Sequence, residues 1–357
     1  MKITIIGGGN IGTIMAAEAA YKGHEVTVYT SKPRLWKKEI SIYNEKDKLL
    51  LTGIISKATD SIEIAVKNAE YIWITVPAQL FKKIAEKMLL YVQAGQKIGI
   101  IPGSGGAEFA FYKIIKKGCI LFGLQRVHSI ARLKEYGKSV YQLGRKKFIL
   151  VGAIPTTKVF DICSTMEDIF DMPCCMLDNY LSVTLTPSNQ ILHTSRLYSL
   201  FKNYKHGDTY LKNFLFYEEW TNDSSQILIA CDKELQEICK TIPLELSSVI
   251  SLQDYYESWT VETMTKKIKS IEAFKGLPSP MKKTGTGWIP NFYSRYFTAD
   301  FSFGLKIIKD IAKMFYVEVP YINIIWNWYK NITLEYDIEY FNICLTKNEF
   351  IKIYKFI

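Results

Sequence analysis

The chain has few of the residues that most often mark chemistry outright. Its 357 residues include only four histidines. Its seven cysteines are an odd number at irregular spacing, with no C-x-x-C pair. Cys174 and Cys175 are adjacent, and no histidine stands at ligand spacing from a cysteine. These features argue against zinc or any other metal and for reduced thiols. No stretch reaches the ~20 apolar residues of a membrane span. The opening MKITIIGGGN runs straight into a strand and a glycine turn, without the layout of a secretory signal, so a cytoplasmic protein is expected. Acidic charge is the scarcer sign, and the formal net charge is +10. The excess sits in scattered pairs such as Lys37-Lys38, Lys82-Lys83 and Lys116-Lys117. It makes no basic stripe interleaved with aromatics, so no nucleic-acid partner is expected, while a mildly positive field suits anionic small molecules.

What is present reads as two domains, the natural expectation at this length. In the first half short apolar strands alternate with helical patterns. ITII precedes IGTIMAAEAAYKG and EVTVYT. YIWITV precedes QLFKKIAEKMLLYV, where Leu80, Ile84, Met88 and Val92 share a helical face. KIGII precedes a glycine turn, EFAFYKIIKKG and CILFGL. This alternation predicts an α/β fold with a Rossmann-type doubly wound parallel sheet. SVYQL and KFILVGA read as a hairpin joined around Gly144, and TTKVFDICSTMEDIFD as a further helix. Beyond about residue 183 strand signals become rare. The expected division is a dinucleotide-binding domain over 1–183 and an all-α C-terminal domain over 184–357. The aromatic-rich WNWYKNITLEYDIEYF suits either a core or a homodimer surface.

Residues 7 to 12, GGGNIG, fit G-x-G-x-x-G directly after a strand and at the start of a helix rich in small residues. Gly7 permits the tight turn, Gly9 lets a pyrophosphate approach the backbone, and Gly12 lets helix and strand pack closely. Asn10 and Ile11 belong to the same cofactor turn, and the phosphates would sit at the positive end of the helix. The second strand ends VYTSKPRLW, where an NAD site usually carries an acid for the ribose hydroxyls. Thr30, Ser31, Lys32 and Arg34 stand there instead. These suit a 2′-phosphate and favour NADP over NAD. Val76 and Pro77 end the next long strand, where the nicotinamide half normally lies. IPGSGGAE forms a second glycine turn at a strand's carboxyl end, and Ser104 there is a candidate carboxylate ligand.

TPSNQILHTSRLY places His193 in an apolar helical turn, with Thr186 reading as the N-cap and Pro187 as the first helical residue. Spacing alone favours a satisfied, partly buried histidine. Asp300 precedes a helix with Leu305, Ile308, Ala312 and Phe315 on its apolar side, and spacing alone makes it a cap. A proton-shuttling histidine needs an orienting carboxylate, and Asp300 is the one to choose. Trp220, Trp259 and Trp288 suit a core better than a pocket.

The GGGN turn, TPSNQILHTSRLY, FYEEWT (216–221), AFKGLPSP (273–280) and SRYFTADFSFGLKIIKDIAK (294–313) together resemble the octopine/nopaline (opine) dehydrogenase family over most of the chain. The resemblance implies that His193 and Asp300 form the catalytic dyad and that Arg295 binds ligand. It also implies NAD(P)H-dependent reductive condensation of an α-keto acid, first of all pyruvate, with the α-amine of an L-amino acid. Substrate contacts are expected in 124–140, where Arg126 and Arg132 are candidates for a carboxylate. Gln125 is neutral where members binding a cationic amino acid can carry an acid, and His128 stands where the family often has Pro. Two rivals keep their place. One is a ketopantoate reductase-like or glycerol-3-phosphate dehydrogenase-like oxidoreductase relying on a lysine of the helical domain. The other is a non-catalytic dinucleotide-binding sensor.

Overall fold

The first strand, Lys2–Ile6, buries four consecutive residues, Ile3 to Ile6. A strand reads this way when both faces of its sheet are covered. In the computed structural model, which describes residues 1–355, it lies inside an eight-stranded sheet. The strand order is Cys174–Met176, Ile149–Ile154, Ile120–Leu124, Lys97–Ile100, Tyr71–Ile74, Lys2–Ile6, Glu25–Tyr29 and Lys57–Thr59. All neighbours run parallel except Ile149–Ile154, which is antiparallel to Ile120–Leu124. From Lys2–Ile6 the chain winds first to Glu25–Tyr29 and later to Tyr71–Ile74 on the other side. The switch point therefore lies between Lys2–Ile6 and Tyr71–Ile74, where open α/β sheets bind ligands.

A second, four-stranded sheet orders Leu49–Ile54, Glu39–Tyr43, Ser139–Arg145 and Ser129–Glu135. It corrects the expected hairpin. SVYQL pairs with Ser129–Glu135 and Glu39–Tyr43, whereas KFILVGA joins the large sheet. The cause is the helix Asn10–Tyr21, which packs against this second sheet and offers it polar anchors. Asn10 Oδ1 accepts from Leu133 N at 2.9 Å. Glu18 takes a hydrogen bond from His128 Nε2 at 2.7 Å and one from Arg145 at 3.1 Å. Gly53 is required at the same contact, because a Cβ there would run into the Ala17 carbonyl. The amphipathic helix Phe81–Leu89 buries Ile84 and Met88 as expected, but Leu80 lies outside it and is exposed.

The residues divide into one unit of Met1–Thr184 with the segment from Asn348 onward, and a second unit, Leu185–Lys347. The C-terminal segment thus belongs with the nucleotide-type unit and not with the helical one. Tyr354 donates to the buried Glu108 at 2.7 Å, and Phe350 stacks on Phe109.

The second unit is built from the helices Asn189–Phe201, Asn222–Thr241, Val261–Ser270, Lys306–Met314 and Pro320–Ile332. One short antiparallel pair, Met281–Lys283 with Trp288–Pro290, departs from an all-α reading. Aromatics fill the core: Phe301 stacks on Tyr329 at 4.2 Å and on Phe297 at 5.8 Å. Trp220 is buried and Trp259 exposed. No helix among the described residues is long and apolar enough to cross a membrane, and no metal-ligand cluster occurs among them.

Candidate active site

At the switch point the glycine turn is shaped by its neighbours. Gly7 has φ +117°, a conformation that favours glycine. The Thr75 hydroxyl donates to the carbonyls of Ile6 and Gly7 at 3.2 and 3.1 Å and braces the turn from the adjacent strand. A Cβ on Gly12 would collide with the Gly7 carbonyl, so the turn closes only with glycine there. Gly9 is the helix N-cap, and a Cβ there would meet nothing within 4 Å. No side chain caps this helix and no acidic residue lies in its first turn. Its leading N–H groups, Ile11 among them, therefore face an open approach with positive partial charge. That arrangement fits a dinucleotide pyrophosphate. Asn10 does not point its amide oxygen at that approach, because the oxygen is engaged with Leu133.

Ser31, Lys32 and Arg34 are exposed just past the second strand. Thr30 is buried, its hydroxyl 2.6 Å from that of Tyr136. Asp60 follows Thr59, the residue paired with Tyr29, so an acid does stand beside the end of the second strand. It escaped sequence reading because a neighbouring strand supplies it. Val76, Pro77 and Ser104 are half-buried, as are Gln125 and Arg126. Arg132 is exposed on its strand, with a guanidinium N–H given to the Ala131 carbonyl. His128, in place of the family's frequent Pro, is fully buried, stacked on Phe170 at 4.3 Å and bonded to Glu18.

In the helical unit the His193 helix begins later than expected. Its N-cap is Ser188, and Thr186 serves another purpose, its carbonyl accepting from Gln190 Nε2 at 2.6 Å. Two more turns of chain complete the surroundings. Asp300 heads a π-helical turn, Phe301–Leu305, and its carboxylate makes no cap hydrogen bond. Instead Asp300 Oδ2 lies 2.7 Å from His193 Nδ1. Gly304 makes this approach possible: a Cβ on it would stand 2.6 Å from that of Gln190, one turn before His193. On the opposite edge, His193 Nε2 lies 2.7 Å from the Tyr217 hydroxyl. The rings of Phe216 and Tyr296 close around the imidazole at 5.5 and 4.6 Å. A carboxylate only accepts, so Nδ1 carries the proton, Nε2 is the acceptor, and Tyr217 donates to it.

Arg196, one turn beyond His193, is 2% exposed. It donates to the carbonyls of Phe216 at 2.9 Å and Glu219 at 2.7 Å, and to the Ser224 hydroxyl at 3.2 Å. Burial pulls its pKa down to about 10, which leaves it charged at neutral pH. One helix thus holds both the imidazole and the segment that presents Tyr217. Sequence reading missed Tyr217 and Arg196, although both lie in blocks quoted above. Their contacts bridge 24 and 20 residues, and no local period reports them. Arg295 is exposed at the start of the short helix Arg295–Thr298, five residues before Asp300 in sequence.

Comparison with known proteins matches both halves in order. Residues 176–333 match the alpha-helical domain of NAD/NADP octopine/nopaline dehydrogenase, and residues 2–108 match the N-terminus of NAD-dependent glycerol-3-phosphate dehydrogenase. The octopine dehydrogenase of Pecten maximus is 26% identical, with 90% of this chain and 87% of that protein covered. The tauropine dehydrogenase of Arabella iricolor is also 26% identical, with 91% and 90% covered. A solved octopine dehydrogenase with NADH and L-arginine superposes with a TM-score of 0.82 at 23% identity, over 93% of this chain and 89% of that one. With the dinucleotide turn, the helical domain and the relatives in agreement, the chain is an NAD(P)-dependent oxidoreductase whose residues 176–333 match the helical domain of the octopine/nopaline dehydrogenases.

Proposed function

We propose that the chain catalyses the NAD(P)H-dependent reductive condensation of an α-keto acid, pyruvate first among them, with the α-amine of an L-amino acid. The observation that carries this reading is the His193–Asp300 pair, held at 2.7 Å inside the helical unit. Condensation needs a group that takes a proton from the substrate ammonium and later returns one to the carbinolamine hydroxyl, which leaves as water. His193 has the residue type for both steps, and Asp300 fixes its tautomer and faces the imidazolium. Bound NAD(P)H supplies the hydride that reduces the imine to a secondary amine.

The chain's other residues position and select. Gly7, Gly9, Gly12 and Ile11 form the pyrophosphate turn, Val76 and Pro77 border the nicotinamide half, and Ser31, Lys32 and Arg34 favour NADP through its 2′-phosphate. Arg295, whose planar guanidinium makes no hydrogen bond or ion pair among the described residues, is suited to a substrate carboxylate. Ser104, Gln125, Arg126 and Arg132 remain the substrate contacts proposed for the nucleotide unit. All seven cysteines are free, in keeping with a cytoplasmic enzyme.

The test follows NADPH and NADH fluorescence with pyruvate and separate pools of L-amino acids, in the wild-type chain and in His193→Ala. Oxidation that requires both co-substrates and falls by at least ~100-fold in the variant is the expected result. Oxidation with a keto acid alone would identify a simple reductase instead.

A further inference from the structure

A histidine that exchanges protons with a substrate needs one ring nitrogen turned toward it. Here both nitrogens of His193 are bonded within the protein, Nδ1 with Asp300 and Nε2 with Tyr217, each at 2.7 Å. The proton route must therefore either displace Tyr217 or pass through it. Displacement is opposed from every side. The Tyr217 ring is 4% exposed. It stacks on Phe274 at 4.1 Å, lies parallel to Trp220 at 6.3 Å and meets Phe216 edge-on at 4.9 Å. The backbone on both sides of it is clamped by Arg196. Its hydroxyl donates to Nε2, and no described residue donates back to it.

We infer that Tyr217 is a proton relay, its hydroxyl standing between the substrate amine and His193. In the forward step the ammonium N–H bond breaks as its proton goes to the Tyr217 oxygen. In the same event the phenolic proton passes to His193 Nε2. The amine becomes neutral, the phenol stays neutral, and the positive charge ends on the imidazolium opposite Asp300. Running in reverse, the relay delivers a proton to the carbinolamine hydroxyl, and the C–O bond breaks with loss of water. Burial pushes the Tyr217 hydroxyl well above its ordinary range, so a free tyrosinate is disfavoured and the two transfers must be coupled.

The inference rests on the reaction proposed above, and its test separates the two. Tyr217→Phe keeps the ring in its stack and removes only the hydroxyl. In a wild-type chain that turns over, kcat is expected to fall by ~100-fold in the variant with little change in KM for the amino acid. The proton inventory in H2O/D2O mixtures should change from curved, with both relay protons in flight, to linear. Wild-type kcat in Tyr217→Phe, or a linear inventory in the wild type, overturns the relay and leaves the dehydrogenase standing. A wild type that never oxidises cofactor overturns both. Independently of activity, the ¹⁵N resonance of His193 Nε2 is expected to move when the hydroxyl is removed. An unmoved resonance shows that the hydrogen bond is absent and sinks the relay.

Discussion

Lys32 and Arg34 stand exposed beyond the second strand, with Asp60 close to the same strand end. Two cations there would suit a 2′-phosphate, as proposed above, while an acid there would favour the free ribose hydroxyls. Arg34→Ala is expected to raise KM for NADPH about tenfold, the loss of roughly 1.4 kcal/mol, and to leave KM for NADH nearly unchanged. Equal effects on both cofactors would assign Arg34 to general surface charge. Sequence alone revealed unequal amounts at this scale. The roles of Gly7, Gly9 and Gly12 are local, so a six-residue pattern displays them. The meeting of His193 and Asp300 spans 107 residues. Its two members were picked out by family likeness, whereas spacing alone made one a core histidine and the other a cap. Asn10 carries a second duty that the motif does not display, its side-chain oxygen anchoring a strand of another sheet.

Among elements, the π-helical turn Phe301–Leu305 decides whether the histidine meets its carboxylate. An α-helix started by Asp300 would have spent that side chain on its own first N–H groups. The wider turn leaves the carboxylate free, and Gly304 lets it come within reach of the His193 helix. Gly304→Ala is expected to push the two apart, lowering stability by ~1–3 kcal/mol and kcat by more than the stability loss explains. Denaturant unfolding and steady-state kinetics on the same sample check both halves, and unchanged kcat would show that the turn tolerates the methyl group. The alternation of strands and helices was readable because period and order are carried along the chain. Partner choice was not. SVYQL and KFILVGA look like a hairpin by every local sign, but Asn10 and Glu18, more than a hundred residues earlier, draw the neighbouring strand region onto the first helix. The start of the His193 helix at Ser188 was hidden for a similar reason, since Thr186 and Pro187 make an equally good local signal.

For the molecule as a whole, Glu108 is the group to watch. It is fully buried under the second glycine turn, with donors from Thr184 at 2.6 Å and Tyr354 at 2.7 Å, and burial pushes its pKa from 4.5 to about 7. A raised folded-state pKa means the folded form keeps the proton longer. The stability it contributes is full below pH 4.5 and is lost as pH rises through about 7. The loss is on the order of 3 kcal/mol. Asp232, raised from 3.8 to about 6 by burial, adds in the same direction. Glu108→Gln is therefore expected to flatten part of the decline in unfolding free energy across this window, and an unchanged slope would assign the decline to other groups. The pairing of Glu108 with Tyr354 also bears on how the protein is made. These partners lie 246 residues apart, with the whole helical unit between them. On the ribosome, the nucleotide-type unit must wait with a buried-type carboxyl uncovered until nearly all the rest has been synthesised. A truncated product ending after Thr184 would never receive the tyrosine, which makes this unit a poor candidate for independent expression.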